Sequence, residues 1–100
     1  MSDPLIPLVQ AWPAELAERY RAAGYWRGET FPSVLRNCAT RFAERTAVVT
    51  GNQRWSYAEL NARAEKIAAG LLALGLVPGD RVVIQLGNTP VYYAVAWGLF

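Results

Sequence analysis

Side chains that carry out nucleophilic or metal-assisted chemistry are scarce in this sequence. Cys38 is the only cysteine, and histidine is absent from all 100 residues. A Ser-His-Asp triad, a Cys-His pair and a zinc-binding HExxH helix are therefore excluded within the chain, as are an internal disulfide and a thiolate zinc cluster. We interpret Cys38 as a small buried apolar residue of a helix, and its lone thiol suits a reducing, cytoplasmic compartment.

The sequence also predicts no acid-base pair and no phosphate-binding loop. Glu15 with Glu18, and Glu59 with Glu65, are candidate carboxylate pairs, but solvated helix surfaces and capping explain their positions without a shared buried site. The eight glycines form neither GxGxxG nor GxxxxGK followed by Ser or Thr. We therefore predict that the chain contains no catalytic, cofactor-binding or metal-binding residue.

One polar residue stands where open α/β sheets bind ligands. Asn88 follows a predicted strand and precedes a predicted helix. It is either a ligand contact or a turn or cap residue, and the lack of convergent polar partners in the sequence favours the turn or cap.

Composition indicates a globular protein and gives no support to one class of partner, nucleic acid. Apolar residues make up 53% of the chain and charged residues 18%, which is enough to bury a core. Ten basic and eight acidic residues are interspersed, so nucleic-acid binding has no electrostatic support. Residues 1–10 do not have the pattern of a secretory signal.

The last ten residues, 91–100, are uncharged and apolar. They amount to half of the ~20 residues that a membrane-spanning helix needs. We therefore expect no membrane span, but the core helix of a larger protein that is cut short at Phe100.

Residues 12–26 predict an amphipathic helix with a tryptophan at each end. Pro13 suits the first turn and Gly24 the stop, while Glu15 and Arg19 have the spacing of an ion pair. Because acids balance bases, we predict an arm that folds back onto its own domain and not a membrane-surface helix. The apolar face of this helix consists of Trp12, Leu16, Tyr20 and Ala23. The irregular segment that follows the helix is predicted to lie over the body of the domain as a strap, anchored by Trp26 and Phe31.

Two further elements follow the arm. Thr30 is placed to cap a helix that starts near Phe31, with an inner face of Val34, Leu35, Cys38 and Phe42. Residues 47–50 and 53–55 are β-prone runs, and the intervening Gly51-Asn52 pair predicts a tight hairpin.

The second half of the chain predicts a long helix, a strand and a final helix. Ser56 and Glu59 match a capping box, and Gly75 marks the end of that helix. In the predicted strand at 82–86, the run Val82, Val83 and Ile84 is apolar on both faces, as in a parallel strand buried between helices. Thr89 and Pro90 fit the start of the last helix. A strand followed by a helix is half of a βαβ unit, so the α/β fold is expected to be incomplete.

The segments WPAELAERYRAAGYWRGETF and WSYAELNARAEKIAAGLLALGLVPGDRVVIQLGN resemble the N-terminal part of the adenylate-forming enzymes. The tryptophan-bracketed arm is similar, more selectively, to the aryl-acid AMP ligases of siderophore pathways. The resemblance implies that residues 1–100 are an incomplete N-terminal segment of the large AMP-binding domain, with residues 1–29 as an arm.

The resemblance also implies a reaction and its partners. ATP with Mg²⁺ would activate an aryl acid, 2,3-dihydroxybenzoate or salicylate, to the aryl-adenylate, and the aryl group would pass to the phosphopantetheine thiol of an aryl carrier protein. None of the family's catalytic motifs occurs here, so this segment alone is predicted to be inactive and to bind neither ATP nor metal. Two alternatives stay open: an amino-acid or fatty-acyl adenylating relative, and a small non-catalytic α/β binding module.

Overall fold

The computed structural model describes residues 11–100, so the expectation about a signal in residues 1–10 lies outside the described residues. The described part consists of four α-helices and one two-stranded antiparallel sheet. In chain order these are α1 (Ala14–Ala22), α2 (Phe31–Arg41), β1 (Thr46–Thr50), β2 (Gln53–Ser56), α3 (Tyr57–Ala73) and α4 (Pro90–Leu99). The predicted mixed α/β class and the order of the helices and the hairpin are confirmed.

The helices α2 and α3 begin where the capping residues predicted, but one of the predicted capping hydrogen bonds has a different donor. The N–H of Glu59 donates to Ser56 Oγ over 3.1 Å, but the Glu59 carboxylate accepts from the Ser56 hydroxyl and not from its backbone N–H. The complete capping box lies instead at α2. There the Ser33 N–H donates to Thr30 Oγ1 over 3.2 Å and the Thr30 N–H donates to Ser33 Oγ over 3.1 Å. Serine thus replaces the longer Glu or Gln that this motif usually has.

The end of α3 is closed by backbone hydrogen bonds. Gly75 adopts a φ of 97°, which a side chain would strain, and its N–H donates to the Leu72 carbonyl over 3.0 Å. The N–H of Leu76 donates to the Leu71 carbonyl over 3.1 Å, which completes a Schellman motif. The predicted stop at Gly75 is confirmed.

The hairpin also has the predicted turn. β1 pairs antiparallel with β2, and Gly51 adopts a φ of 56° in the two-residue connection. Trp55 on β2 is buried against the helices, and the pairing is irregular between Thr46 and Val48. The hairpin therefore covers one side of the helical core.

The core forms where α3 meets α4, α2 and the hairpin. Two alanines, two leucines and one tryptophan are buried there: Ala64, Ala94, Leu35, Leu60 and Trp55. Gly98 lets α4 lie directly on α3, since a Cβ at that position would stand 2.9 Å from the Ala64 carbonyl oxygen and 2.9 Å from Ile67 Cγ2. None of the helices within residues 11–100 combines the length and apolar character needed to cross a membrane.

The predicted buried strand at 82–86 is not a strand in this structure. These residues lie outside helix and sheet, and Val83 is 92% exposed. A parallel strand needs a hydrogen-bonded neighbour and a cover on each face. Within residues 11–100 no strand lies beside this segment, and the only sheet is the β1-β2 hairpin.

The arm differs from its prediction in what it packs against. Trp12 contacts Tyr20 and Trp26 edge to face, with ring centroids 6.3 and 6.0 Å apart, so the apolar face is confirmed. Those rings pack on each other, and α1 makes no extensive contact with another helix or strand of residues 11–100. Glu15 and Arg19 do not form the predicted ion pair, and each side chain is exposed to water, where such a pair gains little.

Trp26 and Phe31, the two residues predicted to anchor the strap, contact different parts of the structure. The inner face of α2 also buries fewer residues than predicted. Trp26 stays within the arm, whereas Phe31 begins α2 and contacts the rings of Trp97 and Phe100. On the predicted inner face of α2, Leu35 is buried, Cys38 and Phe42 are half-buried, and Val34 is exposed. One residue per turn is enough for the contact, because only α3 covers this helix extensively.

Gly98→Ala tests the close approach of α3 and α4. The added methyl group would overlap a backbone oxygen that cannot rotate away, and we expect a loss of about 1–3 kcal/mol in the free energy of unfolding. Gly70→Ala is the matched control, since Gly70 is also helical and a Cβ there meets nothing within 4 Å. It should gain roughly 0.5–1 kcal/mol from helix propensity. Urea denaturation measures both, and equal effects of the two substitutions would contradict the close approach.

Candidate functional site

Asn88 lies at a cavity of about 400 Å³ between the hairpin and α4. Tyr93 of the following helix lines the same cavity, and so do Thr50 and Tyr57, which are more than thirty residues away in the sequence. Trp97 and the core residues Leu35 and Leu60 supply apolar walls. No signal in the sequence indicates these partners, because only the packing of α3 on α4 brings Tyr57 near Tyr93.

The chemistry available at this cavity is limited to hydrogen bonding and ring contact. Its lining contains hydroxyl groups, an amide and aromatic rings, but no Lys, Arg, Asp or Glu side chain. A site that transfers or binds phosphoryl groups needs cations or clustered backbone N–H groups to neutralise charge. The cavity at Asn88 therefore has the composition of a contact surface for neutral or apolar groups.

Asn88 directly precedes Thr89, the N-cap residue of α4. Thr89 occupies the N-cap position of α4 and Pro90 the first helical position, as predicted, although the Thr89 side chain makes no capping hydrogen bond. The N–H of Thr89 donates to the Gly87 carbonyl over 2.8 Å, which bends the chain at Asn88. Asn88 is exposed and belongs to this bend.

A second cavity, of about 460 Å³, lies between the C-terminal parts of α3 and α4. Its walls are mainly apolar and include Leu71, Val82 and Leu99. Asp80 is the one carboxylate at its edge, and it accepts a hydrogen bond of 2.9 Å from the Val77 N–H. Because the Asp80 N–H donates back to the Val77 carbonyl over 3.1 Å, this carboxylate closes a turn.

The carboxylate pairs lie on helix surfaces, as the sequence predicted. Glu15 and Glu18 are exposed on α1. Glu59 contacts the Ser56 hydroxyl over 3.3 Å, and Glu65 accepts from Asn61 Nδ2 over 3.3 Å. Neither pair forms a shared buried site.

Cys38 is half-buried on α2, which is less than the full burial expected for it. Within residues 11–100 no group of three or more His, Cys, Asp or Glu side chains is arranged to hold a metal ion. In the same range no buried side-chain nitrogen or oxygen lacks a hydrogen-bond partner. The described residues thus present no polar group that is held in place for an absent ligand.

The arginines of the central part lie over aromatic rings. Arg63 is 4.4 Å from the ring centroid of Trp55, and Arg45 is 4.9 Å from that of Phe42. Cation-π contacts of this kind stabilise the surface around the hairpin and the start of α3. They do not converge on either cavity, since neither cavity is lined by these arginines.

Comparison with known proteins identifies a family and relatives of this chain. The family described as AMP-binding enzyme matches residues 35–100. The 2,3-dihydroxybenzoate-AMP ligase of Bacillus subtilis (strain 168) is 48% identical over 89 residues, which are 89% of this chain and 16% of that protein. The salicyl-AMP ligase / salicyl-S-ArCP synthetase of Mycobacterium tuberculosis is 49% identical over an 82-residue alignment that covers 77% of this chain and 14% of that protein.

A solved structure has the same fold over most of the described chain. The Mycobacterium smegmatis MbtA apo structure matches with a TM-score of 0.85 at 46% identity, covering 90% of this chain and 17% of that one. The chain thus spans about one sixth of the length of these relatives.

Asp80→Ala tests whether the polar residues around the two cavities hold turns. Removing the carboxylate leaves the Val77 N–H without its partner, and we expect a loss of about 0.5–1.5 kcal/mol in the free energy of unfolding. Asp80→Asn keeps an acceptor oxygen and should recover most of that loss. Asn88→Ala, at an exposed residue, should stay within about 0.5 kcal/mol of the parent chain. A larger loss for Asn88→Ala than for Asp80→Ala in thermal denaturation would contradict these assignments.

Proposed function

The chain belongs to the AMP-binding enzyme family, and from this premise we propose that it is part of an aryl-acid adenylating ligase of siderophore biosynthesis. In the proposed reaction an oxygen of the aryl carboxylate attacks the α-phosphorus of ATP, and pyrophosphate leaves. A phosphopantetheine thiol then attacks the acyl carbon, forming a thioester and releasing AMP. The acid is 2,3-dihydroxybenzoate or salicylate, and the thiol belongs to an aryl carrier protein.

The observation that carries this proposal is the identity to relatives that act on such acids. One relative is named for 2,3-dihydroxybenzoate and another for salicylate, at 48% and 49% identity. The arm with its cluster of Trp12, Tyr20 and Trp26 lies within the part of this chain that resembles such ligases. The chain covers about one sixth of those proteins, and we propose that the substrate pocket lies in the rest of the polypeptide.

The linings of the two largest cavities support a role for this segment other than binding ATP or Mg²⁺, since neither contains Lys or Arg. The cavity at Asn88 has no cationic lining side chain, and no cluster of metal-ligating side chains exists within residues 11–100. We therefore propose a structural role for this segment: residues 1–100 form the N-terminal part of the large domain, with residues 1–29 as its arm. ATP, the metal and the residues that bind them belong elsewhere in the longer protein.

The substrate assignment is tested by substrate-dependent ATP-pyrophosphate exchange with the full-length protein. We expect kcat/KM for 2,3-dihydroxybenzoate or salicylate to exceed that for benzoate, an amino acid and a fatty acid by at least about a hundredfold. A site that hydrogen-bonds a substrate hydroxyl discriminates strongly against acids that lack it. Preference for the amino acid or the fatty acid would replace the proposal with the corresponding adenylating relative. Absence of exchange with every acid would favour a non-catalytic binding module.

The structural role is tested with residues 1–100 alone. Because no cation lines the cavity at Asn88 and no metal-ligating cluster exists within residues 11–100, this segment should give no pyrophosphate exchange above the protein-free rate. The full-length protein at the same molar concentration is the control. Exchange by the isolated segment would show that the chemistry resides within it and would overturn the assignment.

A further inference from the structure

We propose that a crevice between α2 and α3 binds a hydroxylated aromatic carboxylate. The crevice has a volume of about 150 Å³ and is lined from both helices and from Trp97 of α4. Its ligand chemistry follows from its own residues, and the proposal rests on the proposed function only for the choice of an aryl acid as the probe. Binding alone is assigned to the crevice, and no reaction is derived for it.

Residue spacing on the two helices forms this crevice. On α2, Pro32 and Arg36 lie one helical turn apart and Leu35 lies between them, so the three share a face. On α3 the lining residues follow the i, i+3, i+4, i+7 pattern and likewise share a face: Asn61, Ala64, Glu65 and Ala68. Leu35 and Ala64 are 5% and 4% exposed and form the floor, whereas Arg36 and Glu65 are exposed on the two opposing helices.

The size and the apolar floor of the crevice fit a single aromatic ring. A dry apolar cavity of about 150 Å³ in a protein takes up a molecule of benzene. The floor here is apolar, and the half-buried indole of Trp97 provides one wall. That indole is held by aromatic contacts with Phe31 and Phe100, at centroid distances of 6.0 and 5.7 Å. A ligand ring would therefore pack against a ring that is already in place, a contact that adds to the burial of apolar area.

A guanidinium group without a partner makes the crevice selective for an anion. The Arg36 side chain forms no ion pair, hydrogen bond or ring contact with any other described residue. Arg41, on the same helix, instead lies 5.4 Å from the ring centroid of Phe42. The planar fork of an arginine matches the two oxygens of a carboxylate. A ring that enters the crevice therefore gains most from Arg36 when it carries a carboxylate.

Asn61 and Glu65 on α3 add a preference for a hydroxyl group and against a second negative charge. Asn61 Nδ2 donates to Glu65 Oε1 over 3.3 Å, which leaves Glu65 Oε2 to accept from a ligand. Glu65 forms no ion pair with Arg36, so neither charge is neutralised by the other. An ionised carboxylate favours a hydroxyl donor and disfavours a phosphate dianion. The ligand class is therefore a hydroxylated aromatic monocarboxylate, to which 2,3-dihydroxybenzoate and salicylate belong.

Fluorine NMR of the full-length protein, labelled with fluorotryptophan, tests the site directly. The resonance of Trp97 is identified by its loss in Trp97→Phe. We expect 2,3-dihydroxybenzoate to shift this resonance saturably with a Kd of about 1 mM, because exposed charges contribute modestly. Benzoate, without a hydroxyl, should bind about threefold more weakly, and catechol, without a carboxylate, at least about tenfold more weakly. Absence of a saturable shift up to about 20 mM would overturn the proposal and would indicate that another part of the polypeptide fills the crevice.

Arg36→Gln and a matched control separate this site from binding elsewhere in the protein. Arg36→Gln removes the charge and should weaken binding, measured at the Trp97 resonance, at least about tenfold. Arg36→Lys keeps the charge without the planar fork and should lie between the two. Arg41→Gln is the control, because Arg41 is also exposed on α2 but does not line the crevice, and it should bind as the parent protein does. An unchanged Kd in Arg36→Gln, or an equal loss in Arg41→Gln, would overturn the proposal.

The outcomes separate this site from the proposed function. A saturable Trp97 shift that Arg36→Gln weakens, in a protein that adenylates no aryl acid, would retain the crevice as a binding site and refute the substrate assignment. Pyrophosphate exchange that depends on an aryl acid, without any shift of the Trp97 resonance, would do the reverse.

Discussion

The contact of α4 with α3 at Gly98 is the constraint on which the rest of this structure depends. A glycine at this position brings the two helix backbones close enough that even one methyl group would overlap the Ala64 carbonyl oxygen. Ala64 and Ala94, which are both buried, continue the same seam with small side chains. Interiors are packed as densely as organic crystals, so such a seam leaves little freedom in the position of α4 on α3. Trp97 and Phe100 can then reach Phe31 at the start of α2.

The contact of α4 with α3 also determines the two cavities on which the proposed structural role rests. It aligns Tyr57 with Tyr93 around the cavity at Asn88 on one side, and Leu71 with Leu99 beside Val82 on the other. Neither cavity has the charges that phosphoryl transfer needs, whereas apolar groups lie open beside the segment 82–86. The chain thus has the character of a scaffold, in a family whose chemistry involves an adenylate. The contribution to that chemistry that we propose for it is to position other parts of the polypeptide.

The features that the sequence predicted correctly are those determined within a few residues. Thr30 as a cap, the Gly51-Asn52 turn, the stop at Gly75 and the Thr89-Pro90 start each depend on φ values or hydrogen bonds between near neighbours. The features that it missed depend on distant partners. Residues 82–86 were predicted to be buried, but burial needs strands that residues 11–100 do not contain. Two polar partners of Asn88, Thr50 and Tyr57, likewise come from elements more than thirty residues away, and no local pattern indicates them.

The most direct measurement of the central claim is a double-mutant cycle between the two sides of the seam. Ile67→Ala removes the Cγ2 atom that stands 2.9 Å from the position of a Cβ at residue 98, and its effect is measured with glycine and with alanine there. If Gly98 is required by this close approach, Gly98→Ala should cost at least about 0.5 kcal/mol less when Ile67 is already alanine. Strictly additive losses in the free energy of unfolding would mean that the two positions do not touch, and would contradict the account of how α4 is held on α3.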